Sequence, residues 1–379
     1  MPRPFTALIC CLSLGAASLV FSACTHTSSH DSHNAASTTP PVEPRPTLSF
    51  SGPTMGVEWH VTIAITSATN GTDAAVLLKG IQEALARVDG RMSTYKADSE
   101  ISRFASAPAG EDFPVSAETA AVVQESLRIA ELSNGAFDAT VMPLVDLWGF
   151  GPAEASALAP TAAELKAALK ICGWQKLHVN AMPASDEVGD SSSAENTAAL
   201  RKDVTGLRVD LSAIAKGYGV DAVCAAIVAN GYTDYMVEVG GELRTAGLSP
   251  QGTAWRIGID APQDMSNMGQ DLQAVLELGT IAVATSGDYR NFRLVDGKRI
   301  THTIDPRSGL PVMHNLASVT ILAPNCMLAD ALATTCMVLG PEQGMKLMES
   351  LADVECYMIL RDGVQLVTKQ SAGFPALTD

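Results

Sequence analysis

The chain has 379 residues, of which 47% are hydrophobic and 17% charged, too apolar to be disordered as a whole and long enough for one large domain or two modest ones. Its formal charge is −16, from 41 acidic and 25 basic side chains, so it lacks the basic footprint that a phosphate backbone needs and nucleic acid is excluded as a partner. An apolar run long enough to span a bilayer occurs nowhere except at the extreme N-terminus, which excludes a polytopic membrane protein.

In chain order, Arg3 precedes an uncharged apolar stretch from Phe5 to Ala23 that closes on Phe21-Ser22-Ala23-Cys24. Residues 1–23 read as a secretory leader and are left out of the fold. Small residues directly before a cysteine resemble a bacterial lipobox, although Phe21 stands where leucine is usual. Cys24 would then carry lipid and become the mature N-terminus; cleavage after Ala23 without lipid is the other reading. Residues 24–47 are rich in His, Ser, Thr and Pro, carry too little apolar surface to fold, and read as a flexible tether ahead of a domain over 48–379.

From Leu48 to Ile65 the chain alternates, with Val57, Trp59, Val61, Ile63 and Ile65 on one parity, which predicts a strand pair. Asp73 to Met92 changes to helical spacing, with Val76, Leu77, Ile81, Leu85 and Val88 on one face. A second helix is expected from the N-cap Ser116 to Leu132, stopped by Asn134-Gly135, and a third from Thr161 to Ile171, ended by Gly173. Residues 184–200 are acidic, serine-rich and aperiodic, an exposed insertion between strands expected near Lys176–Val179 and Gly206–Leu211. A helix capped by Ser212 and running to about Asn230 follows, then strands near Tyr235–Val239 and Trp255–Asp260. Asp296-Gly297 suits a tight turn between Phe292–Val295 and Lys298–Ile304. A last helix from Cys326 to Leu351 is broken at Gly340-Pro341, and a terminal hairpin turns at Asp362-Gly363. Without regular β-α-β alternation and with several hairpins, the pattern predicts an α+β fold of mixed or antiparallel sheets with packed helices in a single large domain. Past the leader and Cys24 five cysteines remain, with no C-x-x-C pair, and their apolar neighbours make them buried thiols.

Walker, zincin and nucleophile-elbow motifs are absent, which leaves polar clusters to carry the chemistry. Asp330 and Thr334 stand four apart at a helix start, so both oxygens share a face and can hold a hard divalent cation; a dipole-serving Asp with a solvent-facing Thr is the alternative. Asp210, Ser212 and Lys216 join a strand end, a helix N-terminus and a cation one turn in, which suits an anion, or else they are plain caps and a solvated charge. His302, between Ile300 and Ile304 on the second arm of the hairpin, is the best general-base candidate among the mature-chain histidines; a core histidine bonded to backbone is its alternative. Met55, Tyr95 and Phe137 could stack on a planar ring, or serve as core.

Together these clusters resemble the ApbE family, the bacterial FAD:protein FMN transferases. The likeness runs from about Phe50 to the C-terminus and is carried by Thr54-Met55-Gly56, Met92-Ser93-Thr94-Tyr95, Ser99-Glu100-Ile101-Ser102, Gly135-Ala136-Phe137-Asp138, Asp210 through Tyr218, Glu238-Val239-Gly240-Gly241-Glu242, Thr285-Ser286-Gly287, His302-Thr303-Ile304-Asp305-Pro306, and Asp330 with Thr334. The resemblance implies a periplasm-facing enzyme of the bacterial cell envelope that binds FAD and Mg²⁺, splits the diphosphate, attaches FMN by a phosphoester bond to a Thr or Ser of a partner flavoprotein, and releases AMP. Met55, Tyr95, Ala136, Phe137, Asp138, Asp210, Lys216 and Ile304 would line the FAD site. The Ala213 carbonyl, Asp330 and Thr334 would hold the metal, and Ala333 replaces an acidic ligand that some members carry. The acceptors implied are flavoprotein subunits of membrane respiratory complexes, reached from the lipid anchor. Acidic residues at a diphosphate site make sense only with a cation to neutralise both, and His302 would take the proton of the acceptor hydroxyl. Hydrolysis of FAD to FMN and AMP on the same residues, and a non-catalytic flavin-binding lipoprotein, are the rival expectations.

Overall fold

The computed structural model describes residues 43–66, 73–152, 158–181, 198–262, 272–289, 292–295 and 298–378. The leader, Cys24, most of the tether, most of the 184–200 insertion and the Asp296-Gly297 turn lie outside them.

Eight strands build the main sheet, and their order across it follows their order in the chain: Thr47–Thr54, Val57–Ala64, Tyr235–Val239, Glu242–Ala246, Ile281–Gly287, Leu316–Ala323, Glu355–Asp362 and Gln365–Gln370. Every neighbouring pair is antiparallel. The first two strands meet at Met55-Gly56, where φ is 45° and 76°. Positive φ at both central residues matches the right-handed twist of a two-residue hairpin, and Met55 pays a steric penalty for it that Gly56 does not. Trp59, Val61 and Ile63 turn inward at one parity, as alternation requires. Arg45 donates to the carbonyls of Leu248 and Ser249 at 2.5 Å each, so the chain is already fastened to the domain before the first strand, inside the stretch expected to be tether.

The helices Ala74–Met92, Ala215–Ala229 and Cys326–Met348 pack in series over the sheet. The first is capped by Asp73, which accepts from Ala75 N at 2.9 Å, and buries Leu77, Ile81, Ala84, Leu85, Val88 and Met92. That stripe lies on one helical face, each large side chain contributing about 1.5–3 kcal/mol on burial. Ser116 caps Ala117–Leu132 through Thr119 N, and Thr161 with Glu164 forms a capping box for Ala162–Ile171. The Cys326–Met348 helix is interrupted at Gly340, φ 76°, just before Pro341. Cys172, Cys224, Cys326, Cys336 and Cys356 are all buried free thiols. No helix among the described residues is long and apolar enough to cross a membrane.

Three expectations need correction. Ser212 does not cap the 215–229 helix: its N–H and hydroxyl both donate to Asp210 Oδ1, at 2.9 and 2.6 Å, so the turn closes on Asp210 and the helix starts at Ala215 with Ile214 as N-cap. The strand partner of Leu177–Ala181 is Ala198–Lys202, not Gly206–Leu211, and the insertion therefore ends before residue 198. Lys202 explains why that strand is placed there. Its side chain is fully buried and Nζ donates to the carbonyls of Phe104, Ala105 and Leu207 at 3.0, 2.8 and 3.2 Å, tying the strand to the helix Glu100–Ala105 and to the chain beyond it. Finally, the strand after the 296–297 turn ends at Thr301. His302 sits at a bend, and Ile304 belongs to a separate short hairpin, Ile304–Asp305 with Leu310–Pro311.

Candidate functional site

A cleft of about 660 Å³ opens between the Met55-Gly56 turn, the end of the Ala74–Met92 helix with Ser93 to Lys96, and the start of the Ala215–Ala229 helix at Ser212, Ala215 and Lys216. That size suits a cofactor or a nucleotide. Tyr95 stands at its rim, 70% exposed, on a loop held by Ser99 Oγ donating to the Ser93 carbonyl at 2.7 Å.

At the cleft's polar end two helices cross. Gly217 makes the approach possible: a Cβ there would lie 2.2 Å from the Cys326 carbonyl oxygen and 2.8 Å from Asp330 Cβ. The Gly217 N–H, in the first turn where helix donors have no acceptor within the helix, donates to Asp330 Oδ2 at 2.9 Å. Asp330, 2% exposed, thus lies against the first turn of the neighbouring helix. Its own helix is fixed at its N-terminus, where the Asp221 carboxylate accepts from Cys326 N at 3.1 Å and Met327 N at 2.9 Å and Asn325 Oδ1 accepts from Leu328 N at 2.9 Å. Thr334, half-buried, is one turn further along the same face.

Lys216 joins this group. Its Nζ lies 3.1 Å from Glu242 Oε1 and 3.6 Å from Asp330 Oδ1. Burial works against the ammonium, but Asp330 and Glu242 outweigh it and hold Lys216 protonated above the ordinary lysine range. Burial pushes the Glu242 carboxyl up to about 8; Lys216 pulls it down and Asp330 pushes it further up.

The remaining expected residues fall in two places. Ala136 and Phe137 are buried, Phe137 in the main core, and Asp138 lies beside them with its carboxylate taken up by Thr140 N at 2.8 Å, Thr140 Oγ1 at 2.7 Å and Trp174 N at 2.9 Å. Burial pushes the Asp138 carboxyl up against those hydrogen bonds. Asp210 N donates to the Ala139 carbonyl at 2.7 Å, which lays the 136–139 segment alongside the turn that leads to Ala213 and Lys216. His302 and Ile304 are not among the residues lining the cleft. The His302 ring stands edge-on to Phe150 with centroids 6.4 Å apart, and Ile304 packs with Leu144, Trp148, Ala168 and Cys172. Sequence reasoning assigned no role to Glu242, Gly217 or Asp221. Glu242 was visible only as the end of the Glu238-to-Glu242 stretch, and no local spacing links it to Lys216.

The groups expected to hold a metal here are oxygens: the Asp330 carboxylate, the Thr334 hydroxyl one turn along its helix, and the Ala213 carbonyl in the turn just ahead of the helix whose Gly217 N–H bonds to Asp330. Such a set fits Mg²⁺, which takes carboxylate, hydroxyl and carbonyl oxygen and leaves room for phosphate. Among the described residues no group of three or more His, Cys, Asp or Glu side chains could hold a metal, so a cation here would rest on a single carboxylate helped by neutral oxygens.

An α+β domain whose cleft ends at a helix start, a half-buried ammonium and a buried carboxylate is built to hold a charged ligand of cofactor size. Residues 55–358 match the ApbE family, and the chain belongs to that family. A relative from Vibrio cholerae serotype O1, named FAD:protein FMN transferase, is 42% identical over 308 residues, 81% of this chain and 86% of the relative. The FAD:protein FMN transferase of Escherichia coli K12 is 38% identical over 328 residues, 85% of this chain and 87% of its own. Among solved structures, the flavin transferase ApbE from Vibrio cholerae superposes with a TM-score of 0.75 at 39% identity, covering 87% of this chain and 99% of that one. The apo flavinyl transferase ApbE from Pseudomonas stutzeri gives a TM-score of 0.73 at 36% identity, over 87% and 96% of the two chains.

Proposed function

We propose that this chain is a Mg²⁺-dependent FAD:protein FMN transferase that cleaves the diphosphate of FAD, attaches FMN through a phosphoester bond to a Thr or Ser of a partner flavoprotein, and releases AMP. The observation that carries the reading is the Lys216–Asp330 group at the end of a cofactor-sized cleft, in a chain whose relatives bear that name. The Ala213 carbonyl, Asp330 and Thr334 would hold Mg²⁺, which when bound supplies charge neutralisation at the diphosphate. Lys216, kept cationic by its two carboxylates, would bind the diphosphate oxygens at the positive end of its helix. Met55 and Tyr95 would pack on a ring, with Ala136, Phe137, Asp138, Asp210 and Ile304 completing the FAD site. Because the Asp138 carboxylate is already bonded to Thr140 and Trp174, its segment would meet FAD through main-chain groups. A ring nitrogen of His302 would take the proton of the acceptor hydroxyl as its oxygen forms the new bond to the FMN-side phosphorus and the bond to AMP breaks.

The leader pattern of residues 1–23 and the polar tether after Cys24 support a lipid-anchored enzyme on the periplasmic face of the cell envelope. From there it would reach flavoprotein subunits of membrane respiratory complexes. The test is to incubate the protein with FAD, MgCl₂ and such a subunit, and to look for a fluorescent protein band and an FMN-sized mass gain, with Asp330→Ala as the inactive control. Free FMN and AMP without an adduct would show hydrolysis instead. Neither product from the wild type, or full activity in Asp330→Ala, would overturn the assignment.

A further inference from the structure

We infer that Glu242 is the positioning residue of Lys216, holding its ammonium at the place where a phosphate-bearing ligand meets the cleft; this rests on the reading that Lys216 faces the diphosphate of FAD. A lysine carries about 2 kcal/mol of rotamer entropy on a flexible stem and presents a point charge without preferred orientation. Something must hold it if it is to meet a ligand in one geometry. Of the acceptors around Nζ, Glu242 Oε1 is nearest at 3.1 Å, the Ser212 carbonyl is at 3.5 Å and Asp330 Oδ1 at 3.6 Å.

The two carboxylates differ in what else they do. Asp330 is fastened by the Gly217 N–H. Glu242 is 4% exposed, and its second oxygen, Oε2, is buried with no hydrogen-bond partner among the described residues. A buried carboxylate oxygen left unpaired costs free energy, and Glu242 caps no helix among the described residues that would offset it. Its backbone is the rigid member of the pair, because Glu242 opens a strand in register with Val239 on one side of a two-residue turn. The fixed carboxylate therefore sets the position of the mobile ammonium.

Charge alone cannot be the reason for Glu242. Ionised, Glu242 would leave two carboxylates around one ammonium, a net negative group that works against an anionic ligand, and protonated it would bring no charge at all. Position and charge consequently predict opposite outcomes for two substitutions. Glu242→Gln keeps the oxygen that accepts from Lys216 and removes the charge, whereas Glu242→Ala removes both.

The experiment measures the affinities of the full-length variants for FAD and for riboflavin, which has no phosphate, by flavin fluorescence with MgCl₂ and no acceptor, alongside melting temperatures. Glu242→Ala should weaken FAD binding by about tenfold, the scale of one hydrogen bond to a charged group, with riboflavin within twofold of wild type. Glu242→Gln should bind FAD at least as well as wild type. In a Lys216→Met background the further change Glu242→Ala should alter FAD affinity by less than twofold, because there is no ammonium left to place. Unchanged FAD affinity in Glu242→Ala, equal losses in the Ala and Gln variants, a tenfold loss that persists without Lys216, or a parallel loss of both ligands and of melting temperature would each overturn the inference. If the wild type transfers FMN but Glu242→Ala binds FAD normally, only the role of Glu242 fails. A wild type that binds no FAD removes the reading of the site and the role of Glu242 together.

Discussion

Replacing Gly217 by Ala puts the helix crossing to a direct test, because local propensity and packing predict opposite signs. Gly217 lies in the first turn of the helix Ala215–Ala229, where Ala is the better helix former by up to about 0.5–1 kcal/mol. The new Cβ would sit 2.2 Å from the Cys326 carbonyl oxygen, 2.6 Å from its carbon and 2.8 Å from Asp330 Cβ. Two of these neighbours are backbone and cannot rotate aside, so the two helices must separate. Overpacking of this kind costs about 1–3 kcal/mol. Separation also lengthens the 2.9 Å bond from Gly217 N to Asp330, and a hydrogen bond to a charged group contributes about 1.5–3 kcal/mol. The sum is a destabilisation of about 2–5 kcal/mol, read as a lower urea midpoint at unchanged slope, with weaker FAD binding as Asp330 moves from Lys216. A Gly217→Ala protein as stable as wild type, or more so, would refute the reasoning.

Four other outcomes follow from the same geometry and from the leader. Lys202→Met should lower stability by about 3 kcal/mol or more in urea, since three carbonyls, two of them buried and one half-buried, lose their donor; wild-type stability would rule out that role. Because the folded Glu242 carboxyl is raised from its ordinary 4.5 to about 8, the folded state binds its proton more tightly than the unfolded chain, and stability should fall as pH climbs between those values. Glu242→Gln should remove that part of the slope in metal-free protein, and an unchanged pH profile would contradict it. His302→Asn should lower FMN transfer by about 10²–10⁴-fold with FAD affinity within twofold, whereas a parallel fall in melting temperature, FAD affinity and transfer would take His302 out of the chemistry. Cys24→Ser should release the protein from the membrane fraction or leave it unprocessed; wild-type fractionation and mobility would exclude lipid on Cys24.

The parts of the fold that were legible in the sequence are those fixed by contacts a few residues apart. Asp73, Ser116 and Thr161 cap their helices through N–H groups two or three residues on, and one-sided burial gives Val57–Ala64 its alternation. Leu316–Ala323 escapes such reading because all eight of its residues are buried: a strand covered on both faces has no period, and its apolar run cannot be told from a buried helix. Ile281–Gly287, its neighbour in the sheet, buries the three consecutive residues Ala282, Val283 and Ala284 and leaves the others half-buried, so it shows no alternation either. Gly206–Leu211 has apolar residues at strand spacing, but Leu207, Val209 and Leu211 are drawn into the core without a ladder partner, so hydrophobic alternation there reports burial and not pairing. Ser212 has the side chain of a cap, yet Asp210 reaches its N–H and hydroxyl first.

For the site, the residue types were legible and their meeting was not. Asp330 and Thr334 share a face by spacing alone, but Lys216 and Asp330 come together only because Gly217 admits a second helix. The sequence does carry a trace of that crossing. A glycine inside a helix costs about 0.5–1 kcal/mol against Ala, and Lys216-Gly217-Tyr218-Gly219 holds two of them in its first turns. Residues two apart on a helix point to opposite sides, and the structure uses both: a Cβ on Gly217 would strike the Cys326–Asp330 side, while one on Gly219 would come 3.1 Å from Met55 Cε. The opening of the Ala215–Ala229 helix is therefore a thin wedge between the strained Met55-Gly56 turn and the helix that carries Asp330 and Thr334. Lys216, on the same turn, would on the proposed reading reach the ligand only while both sides stay close. A pair of glycines at i and i+2 in a helix that also carries a lysine thus predicts close approach on two faces at once, a signal that hydrophobic periodicity cannot supply because it records what is buried and not how near the backbones come.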